Sequence, residues 1–161
     1  MTIVKKELRT YLISFLIWSA GVGGLMAMCV WMYPAFAGSM EDISALFAGM
    51  GDFSAAFGMD KLAFGSIMGF YGTECGNILG LGGAFFAAIT GMSLLAGEEG
   101  GHTAEFLLTH PLGRTRIAGE KLAALAAMIL GLNLVCLACG AGSILGIGEE
   151  AEWGDLLRFH T

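Results

Sequence analysis

Histidine and acidic residues cluster between the second and third apolar stretches, where metal or acid–base chemistry would first be sought. The ionisable side chains there are Glu98, Glu99, His102, Glu105 and His110. A zinc-binding helix needs closely spaced His residues on one face, as in H-E-x-x-H. His102 and His110 are eight residues apart and Pro111 follows them, so the spacing predicts no metal site. No Ser/His/Asp arrangement, phosphate-binding loop or catalytic carboxylate pair can be assembled, so we expect neither an enzyme nor a cofactor.

Cys136 and Cys139 form a C-x-x-C pair, which is the spacing of many thiol redox sites. A catalytic pair of that kind needs some exposure and a helix N-terminus, because both lower the pKa of the thiol. These two residues lie inside a long uncharged apolar run. We therefore expect them to pack as small hydrophobic side chains.

The composition excludes an ordinary soluble domain. Of 161 residues, 56% are hydrophobic, 26 are glycine and only 14% are charged. Soluble domains carry about 25% charged residues, and a small one has the most surface per volume to cover. The net charge is −6 and no basic patch occurs, so nucleic-acid binding is not expected. The composition is that of a membrane protein.

Three stretches without charge are long enough to cross a membrane as α-helices, which takes about 20 apolar residues each. We place these spans at about 11–36, 75–97 and 122–148. The outer segment 37–74 carries apolar residues at helical spacing, interrupted by Asp and Gly, which predicts amphipathic helices on the membrane surface. The predicted fold is therefore all-α: one polytopic transmembrane domain over 1–161.

Basic residues set the predicted orientation, because Lys and Arg are enriched on the cytoplasmic side of a membrane. Those that flank the first span and separate the other two are Lys5, Lys6, Arg9, Arg114, Arg116 and Lys121. The outer segment has Lys61 alone against five acidic residues. We therefore expect a multi-pass protein of the plasma membrane with a cytoplasmic N-terminus.

Small residues form two rows on the second span. One row is Gly76, Gly80, Ala84 and Ala88, and the other is Gly83, Ala87 and Gly91. Small residues let membrane helices approach closely, so we expect this span to have more packing partners than the chain itself supplies. The alternative is that Gly and Ala are simply frequent here. The mid-span Asn133 is expected to make an interhelical hydrogen bond rather than to contact a substrate.

The cytoplasmic segment 98–121 is predicted to contain a short amphipathic helix. Thr103 can cap its N-terminus, Glu105 lies where the helix dipole favours an anion, Pro111 ends it, and Thr115 can cap the next helix. The apolar side chains that it exposes are Phe106, Leu107 and Leu108. Such a surface is typical of a docking site for a partner protein. The alternative is that these side chains lie among lipid headgroups.

This segment resembles the coupling region of ABC-2 type ABC transporter permeases. The matching positions are Glu98 or Glu99, Thr103, Glu105, Leu107, Leu108, Pro111, Arg114 and Lys121. The opening KKELRTYLISFLIWS, the Met-Tyr-Pro after the first span and the GFYG before the second are similar to bacterial members. The resemblance covers essentially the whole chain.

The resemblance implies a membrane subunit of an ATP-driven exporter. A separate cytoplasmic ATPase subunit would bind the coupling segment and move the second and third spans. Residues 2–10 resemble the family's interfacial connecting helix. Members usually have six spans and pair as dimers, so a second copy or a C-terminal half is an expected partner within the lipid bilayer. The alternatives are a non-transporting scaffold or accessory protein and a truncated, inactive permease.

Overall fold

A computed structural model describes residues 2–49, 66–100, 113–149 and 152–160, which are almost entirely helical and include no strand. The helices in chain order are α1 (Thr2–Thr10), α2 (Leu12–Ala48), α3 (Ile67–Phe70), α4 (Gly76–Gly100), α5 (Arg114–Gly146) and α6 (Trp153–His160). A π-helical turn, Tyr71–Cys75, joins α3 to α4 without a break. The prediction of an all-α membrane protein is confirmed.

Within the described ranges, three helical stretches are long and apolar enough to cross a membrane: Leu12–Ala37, Ile67–Gly97 and Thr115–Gly146. The second and third begin earlier than the charge-free runs at 75 and 122. The reason is that a charged residue does not end a helix. Glu74 has an exposed side chain on a continuous helix, and Lys121 is accommodated inside the third stretch.

The first spanning helix extends well beyond the membrane-length stretch. α2 runs through Pro34 and ends at Ala48. The first part of the predicted outer segment 37–74 therefore continues α2, and its last part belongs to the second span. Residues 50–65, where most of the amphipathic pattern falls, lie outside the described residues.

The core lies where α2, α4 and α5 meet. Met26, Val30, Phe86 and Cys136 are each 0% exposed. The Phe86 ring lies 6.4 Å from that of Phe15 and 6.1 Å from that of Trp18, measured between centroids. Cys136 is a free cysteine in this core, so the C-x-x-C pair contributes to packing, as expected.

Gly140 of α5 provides one of the closest helix approaches. A Cβ atom at this position would collide with the ring and hydroxyl of Tyr71, which is 1% exposed. At Gly142 a Cβ atom would meet nothing within 4 Å. The buried position of the Tyr71 ring therefore depends on the absence of a side chain at Gly140.

We expect Gly140→Ala to destabilise the protein by about 1–3 kcal/mol, which is the usual cost of overpacking. Gly142→Ala is the matched control on the same helix and is expected to be neutral or stabilising by up to about 1 kcal/mol. Thermal unfolding of the purified protein in detergent would measure both. Equal melting temperatures for the two variants would contradict the packing of Tyr71 against α5.

α6 folds back along α5 rather than continuing away from it. The chain turns at Gly148, whose φ of 82° is in the left-handed region that favours glycine. Leu156 of α6 is fully buried. His160 thereby reaches Asn133, which lies about 20 Å along the axis from the end of α5. The interhelical hydrogen bond expected for Asn133 is present, with α6 as its partner.

Candidate functional site: the coupling end of the helix bundle

The structure describes the two helix ends that bracket the predicted coupling segment. α4 ends at Gly100 and α5 begins at Arg114, so Glu98, Glu99 and Arg114 lie in these helix ends. The residues between the helix ends lie outside the described part of the chain; those that we singled out are Thr103, Glu105, Phe106, Leu107, Leu108 and Pro111. The described part of the site consists of the helix ends that hold the segment at either side.

Lys121 ties the two spanning helices together. Its side chain is only 6% exposed, and Nζ donates a hydrogen bond to the backbone carbonyl of Leu94 on α4. Lys121 lies seven residues into α5, about 10 Å along the axis from its start. A charge-assisted bond to a carbonyl is shorter and stronger than a neutral one. The lysine that the sequence placed at the start of the third span is thus an internal cross-link between α4 and α5.

The N-terminal helix is fastened to the same end of α5. α1 is amphipathic: its exposed residues include Lys5, Lys6 and Arg9, whereas Ile3, Val4, Glu7 and Leu8 are buried or half-buried. The backbone N–H of Ile3 donates to Glu120 Oε2 at 3.3 Å. Arg116 Nε donates to Glu120 Oε1 at 3.4 Å. Glu120 therefore holds α1 against the first turns of α5.

Tyr11, which lies between α1 and α2, contacts the end of α4. A Cβ atom added at Gly97 would lie 3.4 Å from the Tyr11 hydroxyl, so the Tyr11 side chain reaches α4 at this point. Together with the bonds of Lys121 and Glu120, this contact joins α1, α2, α4 and α5 at one end of the bundle. These contacts fasten the described helix ends that bracket the predicted coupling segment to one another and to α1.

The start of α5 differs from the expectation in one respect. Gly113 is the N-cap residue, with φ −61° and ψ 142°, and no side chain caps the helix. The prediction that Thr115 caps this helix is wrong, because Arg114 is already helical and Thr115 lies inside the first turn.

Comparison with known proteins decides the family. The sequence profile of the ABC-2 family transporter proteins matches residues 1–161. The chain belongs to this family. No curated protein and no solved structure matched the chain. The resemblance seen in the sequence is confirmed, and this ABC-2 chain is a membrane component of a transporter rather than its catalytic part.

The two predicted rows of small residues on this ABC-2 chain have different surroundings. Gly76, Gly80, Ala84 and Ala88 are all exposed, and a Cβ atom at either glycine would meet nothing within 4 Å. The second row, Gly83, Ala87 and Gly91, is half-buried. At Gly91 a Cβ atom would lie 3.5 Å from Leu125 of α5. Gly91 of the second row thus lies towards α5, whereas a Cβ atom at Gly83 would meet nothing within 4 Å. The first row faces away from the rest of the described chain.

Sequence reasoning missed the polar contacts that α6 makes within the bundle. Tyr71 Oη lies 2.9 Å from His160 Nε2, and His160 Nδ1 lies 2.5 Å from Asn133 Oδ1. Asn133 Nδ2 also donates to the His160 carbonyl oxygen at 3.0 Å. The amide of Asn133 in the middle of a span was the one sign of these contacts in the sequence. Its partner could not be read, because His160 lies 27 residues away on another helix.

Proposed function

We propose that this chain is the permease subunit of an ABC exporter and that a separate cytoplasmic ATPase subunit drives it. The ATPase binds the coupling segment 98–121, and the chain itself carries out no chemistry. The observation that carries the proposal is the bond between Lys121 and the Leu94 carbonyl, which joins the two helices that bracket that segment. Membership of the ABC-2 family supports an ATPase partner and a lipid environment.

In this proposal, the apolar side chains of Phe106, Leu107 and Leu108 fill a groove on the ATPase, as a short helix does in helix-in-groove recognition. ATP-dependent closure of the ATPase then pushes on the segment. Because α4 and α5 are tied at Lys121, and α1 is tied to α5 at Glu120, the helices move together rather than separately. The N-terminus and the coupling segment are cytoplasmic, in agreement with the distribution of Lys and Arg.

The exposed row at Gly76, Gly80, Ala84 and Ala88 supports the presence of further transmembrane helices. Small residues permit close helix contact in lipid, and the described part of this chain leaves that row uncovered. The helices that cover it belong to a second permease copy or to a C-terminal half of the permease.

The docking surface is tested by replacing Phe106 and Leu107 with Asp. A charge at an apolar anchor removes the burial and leaves an unpaired carboxylate at the interface, so we expect co-purification with the ATPase subunit to be abolished. The test uses co-expression of the full chain with an ABC ATPase and affinity capture in detergent. Trp153→Asp, an exposed apolar residue of α6, is the matched control and should leave capture unchanged.

A measurement on the same complex distinguishes a permease subunit from a non-transporting scaffold. A permease subunit should stimulate the ATP hydrolysis of its partner after reconstitution in proteoliposomes, whereas a scaffold would bind the ATPase without altering its rate. If the Phe106→Asp/Leu107→Asp variant still captures the ATPase, the proposed docking surface is wrong. If the chain does not alter the rate of ATP hydrolysis by its partner, the proposed permease function is wrong.

A further inference from the structure

A groove of about 560 Å³ runs between α2 and α4. Its walls are mainly apolar and include Ile17, Trp18, Val22, Leu25, Ile78 and Leu81. Two polar side chains, Glu74 and Asn77, also line it, and both come from the second spanning stretch. The volume is within the range of about 300–1,000 Å³ that is usual for small-molecule sites.

Glu74 is the unusual member of this lining. It lies inside the spanning stretch Ile67–Gly97, about 10 Å along the helix from its start. Its side chain is exposed, and the part of the chain that the structure describes supplies no cation to pair with it. The stretch has 31 residues, more than the about 20 that cross a membrane, so Glu74 lies towards one end of the span. An ionisable residue in a spanning helix is a candidate for a functional site.

Asn77 extends the polar edge of the groove. It lies three residues after Glu74, so the two side chains share one face of the helix. Its side chain is exposed, and within the described residues it makes no hydrogen bond. The edge therefore presents a carboxylate and an amide beside a large apolar surface. Lipid tails cannot form hydrogen bonds with these two groups.

Trp18 provides an aromatic wall on the opposite helix. Its ring is held by Phe86, with centroids 6.1 Å apart, so its position in the groove is fixed by packing. Aromatic faces attract organic cations as well as apolar groups. The groove thus combines an anionic edge, an amide and an aromatic wall.

We infer that this groove binds an organic cation with a bulky apolar body, with its charge beside Glu74, and that this is the chemical class of the transported substrate. The assignment of a substrate rests on the proposed transport function, whereas the binding itself does not. A neutral lipid tail would fill the apolar walls but leave the carboxylate without a counter-charge. An anionic amphiphile would be repelled by it.

Binding of two ions of the same shape and opposite charge tests this inference. The purified full chain is placed in phosphatidylcholine nanodiscs and titrated with radiolabelled tetraphenylphosphonium or tetraphenylborate, with empty nanodiscs as the partition baseline. We expect saturable binding of the cation and none of the anion. Glu74→Gln should weaken cation binding about tenfold, as expected for the loss of one charge pair. Glu149→Gln, an exposed carboxylate beyond the end of α5, should not change it.

A second variant tests the shape of the groove without altering its charge. Leu25 is 48% exposed in the groove wall, so Leu25→Trp should fill the volume without disturbing the core and should abolish saturable binding. Equal binding of the two ions, or unchanged affinity in Glu74→Gln, would overturn the inference. Disulfide cross-linking of Leu25→Cys between two copies would also overturn it, because a second chain would then cover the groove. No ATPase is present in these assays, so their outcome is independent of the co-purification test.

Discussion

Replacing Lys121 by Met is expected to uncouple the chain from the proposed ATPase subunit while leaving it folded. Met keeps the apolar stem that packs between α4 and α5 but cannot donate to the Leu94 carbonyl. A hydrogen bond to a charged group contributes about 1.5–3 kcal/mol, and each 1.4 kcal/mol corresponds to about a factor of ten. We therefore expect stimulation of ATP hydrolysis in proteoliposomes to fall at least about tenfold.

Capture of the ATPase should survive the Lys121→Met change, because the docking side chains are intact. Arg158→Met is the control for loss of a positive charge. Its side chain is 83% exposed, and among the described residues it pairs with Asp155 of the same helix at 3.4 Å. Exposed pairs of this kind contribute about 0–1 kcal/mol, so stimulation should change less than about twofold, by the same conversion. Equal losses in the two variants would show that the buried bond at Lys121 does not carry the coupling.

Replacing His160 by Ala is expected to release α6 from the bundle. In the structure, His160 Nδ1–H donates to Asn133 Oδ1 and His160 Nε2 accepts from the Tyr71 hydroxyl. The substitution leaves both partners without this contact in surroundings of low polarity, and each such loss costs about 1–3 kcal/mol. We expect a destabilisation on the order of 2–6 kcal/mol, confined to the docking of α6.

Lowering the pH should also release α6 from the bundle. Burial lowers the pKa of His160 below its usual value of 6.5, because the charged imidazolium is poorly solvated there. A lowered pKa means that the docked state favours neutral His160. The stabilising contribution is therefore complete above about pH 6.5 and declines as the pH falls below it.

A spin label at Gly154→Cys would report the docking of α6. Gly154 is exposed and a Cβ atom there meets nothing within 4 Å, so the label should not disturb the helix. The native cysteines are replaced by Ala in this background. Label mobility should rise in His160→Ala and, in the parent, on going from pH 8 to pH 5.5. Tyr71→Phe combined with Asn133→Leu and His160→Leu removes all three polar side chains, so it should release α6 less than His160→Ala does. Mobility that is independent of pH and of His160 would contradict this role.

The sequence by itself determined the architecture at the level of spans and segments. Three charge-free apolar runs predicted three spanning helices, and all three are present. The Thr103–Arg114 motif and the resemblance of residues 2–10 to a connecting helix also pointed to the family, which the profile match confirms. These features are accessible because hydrophobicity and charge are properties of consecutive residues, and a membrane selects directly for them.

Only the tertiary structure decided which residues meet across helices. Lys121 was readable as the start of a span, but its burial against Leu94 depends on how α5 is rotated towards α4. His160 and Asn133 pair across 27 residues because the turn at Gly148 returns α6 along α5. The glycine in close contact with Tyr71 is Gly140, outside both predicted rows. A helix presents many possible faces, and only the positions of its neighbours select the face that is buried.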